Sequence, residues 1–229
     1  MLLYLDTRRA PNPRKVRIYV AEKGLTLPTK ELDLYAGVQR TPEFLAKNPF
    51  AGVPILELDD GTVIAESLAI IEYLDEAYPE PRLMPRDPAA RGRCRLLELE
   101  ADEILLPPVR KLMHRTEPPG PDFARRERQE AEAAEADKLI LGNYRALTAR
   151  LGPQEFFCGT FSLADIAIFI VLHYGIRLGG PSLASHQNLE AWYQRLLRRP
   201  AFARAEQEIA AADRELSYPI APRQPGSGK

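Results

Sequence analysis

The rhythm of apolar and polar positions changes about a third of the way along this 229-residue chain. The first third alternates short apolar runs with helical spacings. Leu2 to Leu5 reads as a strand, and Pro11, Asn12 and Pro13 then open a helical stretch to Lys23 that Gly24 stops. A second strand is predicted at about Thr29 to Leu34, then a short helix over 41–47 with Thr41 placed to cap it. Two strand-like runs, Pro54 to Leu58 and Thr62 to Ile64, flank Asp60-Gly61 and make a hairpin. Ser67 to Tyr78 places apolar residues at 68, 70, 71 and 74, which is helical spacing. The order β-α-β-α-β-β-α predicts an α/β layer of four strands.

The segment PEPRLMPRDP over 79–88 carries four prolines and cannot continue a helix. Beyond it strand signals fade and long helical patterns follow, at roughly 89–115, 122–150, 162–178, 187–198 and 200–213. The predicted organisation is a domain over 1–79, a linker over 80–88 and an all-helical domain over 89–215. The tail over 216–229, rich in Pro, Gly and Ser, is expected to be partly disordered.

Composition adds mainly exclusions. Thirty-one Lys and Arg against 32 Asp and Glu leave a net charge of −1, without the basic footprint of a nucleic-acid binder. MLLYLD is too short and too soon acidic for a signal peptide, and no apolar run reaches membrane-spanning length. Cys94 and Cys158 form no CxxC or metal-ligand pattern, so two free structural thiols in a reducing cytoplasm are expected. No metal is implied. His114, His173 and His186 lack partners at catalytic spacing and read as core, cap or surface residues.

Four segments carry candidate chemistry. Asn12 sits where the first strand passes into the first helix. It either caps that helix or offers its amide to an anion drawn by free N–H groups and the helix dipole. For a thiol with a pKa of about 8.5, a helix terminus supplies up to ~2 kcal/mol of thiolate stabilisation and a charged hydrogen bond ~1.5–3 kcal/mol. Val53-Pro54 is either a tight turn or, with a cis bond, a way to turn the Val53 main chain outward to pair with a peptide-like ligand. Glu66-Ser67 either caps the next helix or holds a carboxylate there. Ser162-Leu163-Ala164-Asp165 is a capping box that starts a buried helix, a structural role. The Arg125, Arg126, Arg128 stretch reads as a solvated helix face.

The joint order of these segments resembles the soluble glutathione transferase superfamily. The resemblance is carried by APNPRKVRIYVAEKGL, NPFAGVPILELDDGTVIAESLAIIEYLDEAYP, FSLADIAIF and WYQRLLRRPAFARA. It implies a thioredoxin-like glutathione-binding domain and a helical substrate domain in a cytoplasmic homodimer. Glutathione would be a co-substrate whose thiol attacks an electrophile, a peroxide or a disulfide; the alternative is a non-catalytic glutathione- or protein-binding module. By the same resemblance Asn12 would contact the sulfur and Val53, before a cis Pro54, the cysteinyl main chain. Glu66 and Ser67 would hold the γ-glutamyl end, and Gln39, with Arg40 as competitor, the glycyl carboxylate. Gly52 stands where many relatives carry Lys or Gln. Ile104, Leu106, Pro107 and Arg110 are expected in the wall of the second-substrate pocket. The departure is Ala10, at the position where serine- and cysteine-type members place their thiol-activating residue. The retained Pro-Asn looks like the Nu class and its yeast prion-related relatives.

Overall fold

The computed structural model describes residues 1–6, 10–34, 36–116 and 123–216. The tail past Leu216 therefore lies outside the described residues. Strands β1 (Leu2–Asp6), β2 (Thr29–Leu32), β3 (Ile55–Glu57) and β4 (Val63–Ala65) form one sheet in the order β2-β1-β3-β4. β1 and β2 run parallel, as a strand–helix–strand crossover requires, and the other pairs are antiparallel. Strand alternation divides the faces. Leu3, Leu5 and Leu56 enter the main core, whereas Tyr4, Leu32 and Ile55 meet Phe44 in a smaller cluster on the other face.

The helices are α1 (Pro11–Glu22), α2 (Pro42–Leu45), α3 (Ser67–Ala77), α4 (Pro88–Glu100), α5 (Leu106–Arg110), α6 (Phe123–Leu151), α7 (Leu163–Arg177), α8 (Gln187–Leu197) and α9 (Pro200–Leu216). The predicted helix over 89–115 is not continuous. Pro107 and Pro108 supply no N–H to the preceding turn, and a π turn over Ala101–Leu105 takes up the mismatch, with the Leu106 N–H reaching back to the Ala101 carbonyl. A 3₁₀ turn (Met113–Thr116) follows α5. Helix α7 is buried on almost every side, which its unbroken apolar run demands. The Asp165 carboxylate starts it, accepting the N–H and hydroxyl of Ser162, the N–H of Phe157 and the Trp192 indole N–H.

Helix α1 joins the sheet half to the helical half. Val16, Ile18 and Tyr19 are buried, and so is Lys15, whose ammonium pairs with Glu98 at 2.8 Å and Asp102 at 2.7 Å. Lys23 bonds to Asp75 and to the Tyr78 carbonyl, and Arg199 forks onto Glu22. The proline-rich segment after α3 is packed rather than a free tether. Leu83 and Met84 are buried in the common core, and the Leu163 N–H bonds to the Leu83 carbonyl at 2.9 Å. Apolar Leu83 and Met84 outweigh the turn-forming prolines around them.

Candidate active site

Strand register brings three of the four singled-out segments to one end of the sheet. β3 begins beside the end of β4, with Ile55 opposite Ala65, so Val53 and Pro54 precede β3 where Glu66 and Ser67 follow β4. Tyr4 lies opposite Ile55, so β1 also ends there, and Asp6 leads toward Ala10 and Asn12. Asp6, Ala10, Asn12, Gln39 and Val53 form one side of a cleft of about 440 Å³.

The start of α1 differs from the expectation of several free N–H groups. Ala10 is the N-cap and Pro11, Asn12 and Pro13 form the first turn, so Asn12 is not a cap. Pro11 and Pro13 have no N–H, and the Arg14 N–H already reaches the Ala10 carbonyl at 3.4 Å. The Ala10 N–H bonds to the Asp6 carboxylate at 2.6 Å. Asn12 is thus the first-turn residue left to donate, by main chain or amide, and its Oδ1 has no hydrogen-bond partner. Tyr4 takes no part, because its hydroxyl bonds to Glu57 at 2.6 Å on the other face of the sheet.

Asn48 builds the loop that carries Val53. Its amide donates to the Gly52 carbonyl at 3.0 Å and its Oδ1 accepts from the Phe50 N–H at 3.2 Å. Ala51 adopts φ 55°, a left-handed conformation that costs a non-glycine residue on the order of 1–3 kcal/mol. The Val53–Pro54 bond is cis. Gly52 has room for a side chain: a Cβ there would meet only the Asn48 amide nitrogen, at 3.5 Å. Sequence reasoning missed Asn48; its signal was a buried-type amide placed before a Pro-Phe-Ala-Gly turn.

Glu66 caps α3 with its main chain at φ 71° and stays exposed, while Ser67 is the first helical residue and is buried. The reading of Ser67 as N-cap is therefore overturned, and neither Glu66 nor Ser67 side chain caps the helix. Pro54, Glu66 and Ser67 sit at the sheet end beyond the lining of the 440 Å³ cleft. Gln39 lines it. One of its amide hydrogens goes to the Leu34 carbonyl at 3.2 Å, leaving the other donor and an unpaired Oε1. Arg40 is exposed outside the cleft.

The facing side comes from the helical half: Arg110, Met113, Tyr174, Arg177 and Leu178. Arg110 was expected there. Ile104, Leu106 and Pro107 are not in this wall. Leu106 is buried in the core, and Ile104 lines a separate hollow between α4 and α6. Ile104 lies within the π turn and Leu106 directly after it, so the turn decides which of them reaches the surface and which the core. Arg177 and Tyr174 were missed because their apolar neighbours made α7 read as core only. Behind them His173 is buried, with Nδ1 2.7 Å from the Tyr193 hydroxyl; burial and the nearby Arg14 and Arg177 guanidinium groups hold its pKa well below the ordinary histidine range. His114 lies beside Glu130 and His186 beside Thr148. Among the described residues no group of three or more His, Cys, Asp or Glu is placed to hold a metal, and no helix is long and apolar enough to cross a membrane.

A cleft at one end of a four-stranded mixed sheet, closed by helices, is the arrangement of glutathione transferases. Residues 10–77 match the glutathione S-transferase N-terminal domain and residues 103–200 the C-terminal domain. The chain is 35% identical over 207 residues to glutathione S-transferase 2 of Saccharomyces cerevisiae, covering 88% of this chain and 87% of that protein. It is 31% identical over 190 residues to a stringent starvation protein A homolog of Pasteurella multocida, covering 82% of each. The crystal structure of Gtt2 from Saccharomyces cerevisiae, 32% identical, superposes with a TM-score of 0.75 over 90% of this chain and all of that one. A glutathione S-transferase domain-containing protein of Marinobacter aquaeolei VT8, 33% identical, gives 0.74 over 88% of this chain and all of that one. The chain belongs to the glutathione S-transferase superfamily, and its function is of the glutathione transferase type.

Proposed function

We propose that this protein binds glutathione across the sheet end, with the sulfur at Asn12, and turns the bound thiolate on a second substrate held against the helical wall. The observation that carries this reading is the convergence of the α1 start, Gln39 and the Val53 loop on one cleft, with the β4–α3 junction beside it at the same end of the sheet. The Val53 main chain pairs with the cysteinyl unit like an added strand. Glu66 and Ser67 take the γ-glutamyl end and Gln39 the glycyl end. Asn12 donates to the sulfur, and with Pro11 and Pro13 silent it is the main local donor. The α1 dipole adds to the same effect. The thiolate then displaces a leaving group from an electrophile, reduces a peroxide, or attacks one sulfur of a disulfide and releases the other as thiolate. Glutathione supplies the nucleophile, so Ala10 does not remove the chemistry.

Arg110 and Arg177 on the facing wall favour a second substrate that carries negative charge as well as apolar surface. Calorimetric titration with reduced and then oxidised glutathione tests the site. Binding of either supports it, and tighter binding of the oxidised form points to disulfide reduction. No heat with either form rejects it. A second reading, a binding module without turnover, is favoured by Ala10 and by the relative named as a stringent starvation protein A homolog. Thiolate absorbance of the bound complex separates the two, because only catalysis requires ionisation near neutral pH. A cytoplasmic homodimer with a detoxification role accords with the resemblance. Exposed Phe50, Ile104 and Leu139 supply apolar surface for the dimer, and a sedimenting monomer at micromolar concentration would contradict it.

A further inference from the structure

The helical wall of the cleft is assembled from two separate pieces of chain. Arg110 and Met113 come from α5 and the 3₁₀ turn after it, whereas Tyr174, Arg177 and Leu178 come from the end of α7 and its C-cap. Apolar contact brings the pieces together. Leu112 is fully buried, and a Cβ at Gly180 would lie 2.9 Å from its Cδ1, so the chain past α7 runs directly against it. Val109 lies on Gly175 in the same way, 3.3 Å from where a Cβ would stand. Burial of this kind holds surfaces together but is non-directional.

Arg115 supplies the direction. Its side chain is 9% exposed, and its guanidinium reaches two other segments. Nη1 donates to the Gly179 carbonyl at 3.1 Å, one residue past Leu178. Nη2 donates to Glu130 at 2.8 Å and to Asp137 at 3.1 Å, both on α6, and Nε adds a bond to Glu130 at 3.3 Å. His114 lies on the same carboxylate, with Nε2 3.0 Å from Glu130 and Nδ1 3.1 Å from the Lys111 carbonyl. Arg115 itself does not line the cleft. A planar fork fixes orientation as well as distance, and its bonds to carboxylates are charge-assisted. Nothing local in Met113-His114-Arg115-Thr116 announces this role; it follows from the two segments that the fold brings to Arg115.

We propose that Arg115 is a positioning residue for the second substrate, an inference that rests on the glutathione reading of the cleft. By tying the turn that carries Met113 to the carbonyl after Leu178, and both to α6, it sets the width of the slot that receives a substituent on the glutathione sulfur. Arg115 acts through Arg110, Met113, Arg177 and Leu178 and contacts no reacting atom. A lysine keeps the charge, but a compact ammonium cannot span two carboxylates and a carbonyl arranged around a planar fork.

The test compares the full chain's affinity for S-hexylglutathione with that for glutathione, by calorimetry. The ratio of the two reads the slot alone, because a smaller folded fraction lowers both. Wild type is expected to bind the hexyl derivative at least about tenfold tighter, as partial burial of a six-carbon chain requires. Arg115→Lys should lose most of that gain while glutathione affinity stays unchanged. Should it fail to fold, Asp137→Asn weakens the same clamp from the α6 side and should lower the ratio several-fold. Arg95→Lys is the control: Arg95 forks onto Glu72 at 2.8 and 2.6 Å, away from the cleft, and its loss should leave the ratio as in wild type. An unchanged ratio in Arg115→Lys, an equal fall in Arg95→Lys, or a wild type that binds glutathione without any gain from the hexyl chain overturns this proposal alone. A wild type that binds neither ligand overturns the glutathione reading, and this proposal with it.

Discussion

The two walls of the cleft are made of different material. The sheet-side wall is main chain and short loops whose shape is set by strand ends, prolines and Asn48. Facing it, the wall is long side chains, Arg110, Met113 and Arg177, projecting from helix ends. A main-chain wall recognises a constant peptide-like ligand, because any side chain on the same backbone leaves it intact. A side-chain wall changes with each substitution and sets the second substrate. Helix α1 holds the two together, and four substitutions probe the contrast.

The largest effect should come from Lys15→Met. It leaves the Glu98 carboxylate buried without its partner, between the two halves of the molecule. Breaking a buried pair costs about 3–5 kcal/mol, which urea unfolding will read. Burial holds the Glu98 carboxyl above its ordinary range. A raised folded-state value means that protonation favours the folded form, so the deficit is greatest above that value and shrinks as pH falls through it. A deficit independent of pH would assign the loss to packing instead.

Asn12→Ala tests the sheet-side wall. Removing the donor to the sulfur should lower kcat/KM by about 30-fold, equivalent to ~2 kcal/mol for a charged hydrogen bond. Glutathione affinity should change little, since Val53, Glu66 and Ser67 remain. Loss of binding with turnover per bound complex preserved would mean that Asn12 only shapes the loop.

Arg110→Ala tests the facing wall. For an anionic second substrate KM should rise several-fold, about 1 kcal/mol for an exposed charge, while a neutral aryl halide and glutathione itself are unaffected. Equal effects on both substrates would erase the division of labour between the walls.

The smallest effect is expected from Gly52→Lys. The position has space for a side chain, and in the binding mode proposed above a lysine there adds a cation near the glycyl end of glutathione. Tighter binding by about threefold is expected from an exposed ion pair, read by calorimetry; weaker binding would show that the loop cannot accept the side chain.

How much was legible can be judged from particular residues. Each strand of the sheet and each helix start after a proline or Thr41 was readable, because those signals are local: alternation, caps and turn residues act over a few positions. Asn12 and Val53 could be singled out for the same reason. Ile104, Leu106 and Pro107 were expected in the wall by resemblance alone, and Pro-Pro does not announce the π turn before it that sends Leu106 into the core. Arg177 was hidden in an apolar run, and Leu83 and Met84 were hidden among prolines.

The sequence by itself determined the class of fold, the loop chemistry at the sheet end, the capping box at Asp165 and the loss of a hydroxyl or thiol at Ala10. Only tertiary structure decided that Lys15 lies between the carboxylates of Glu98 and Asp102, and that Arg177 faces the cleft. The reason is range. Main-chain propensities and caps act within a turn or two of chain, whereas a contact across 83 or 87 positions exists only after the core has closed around it.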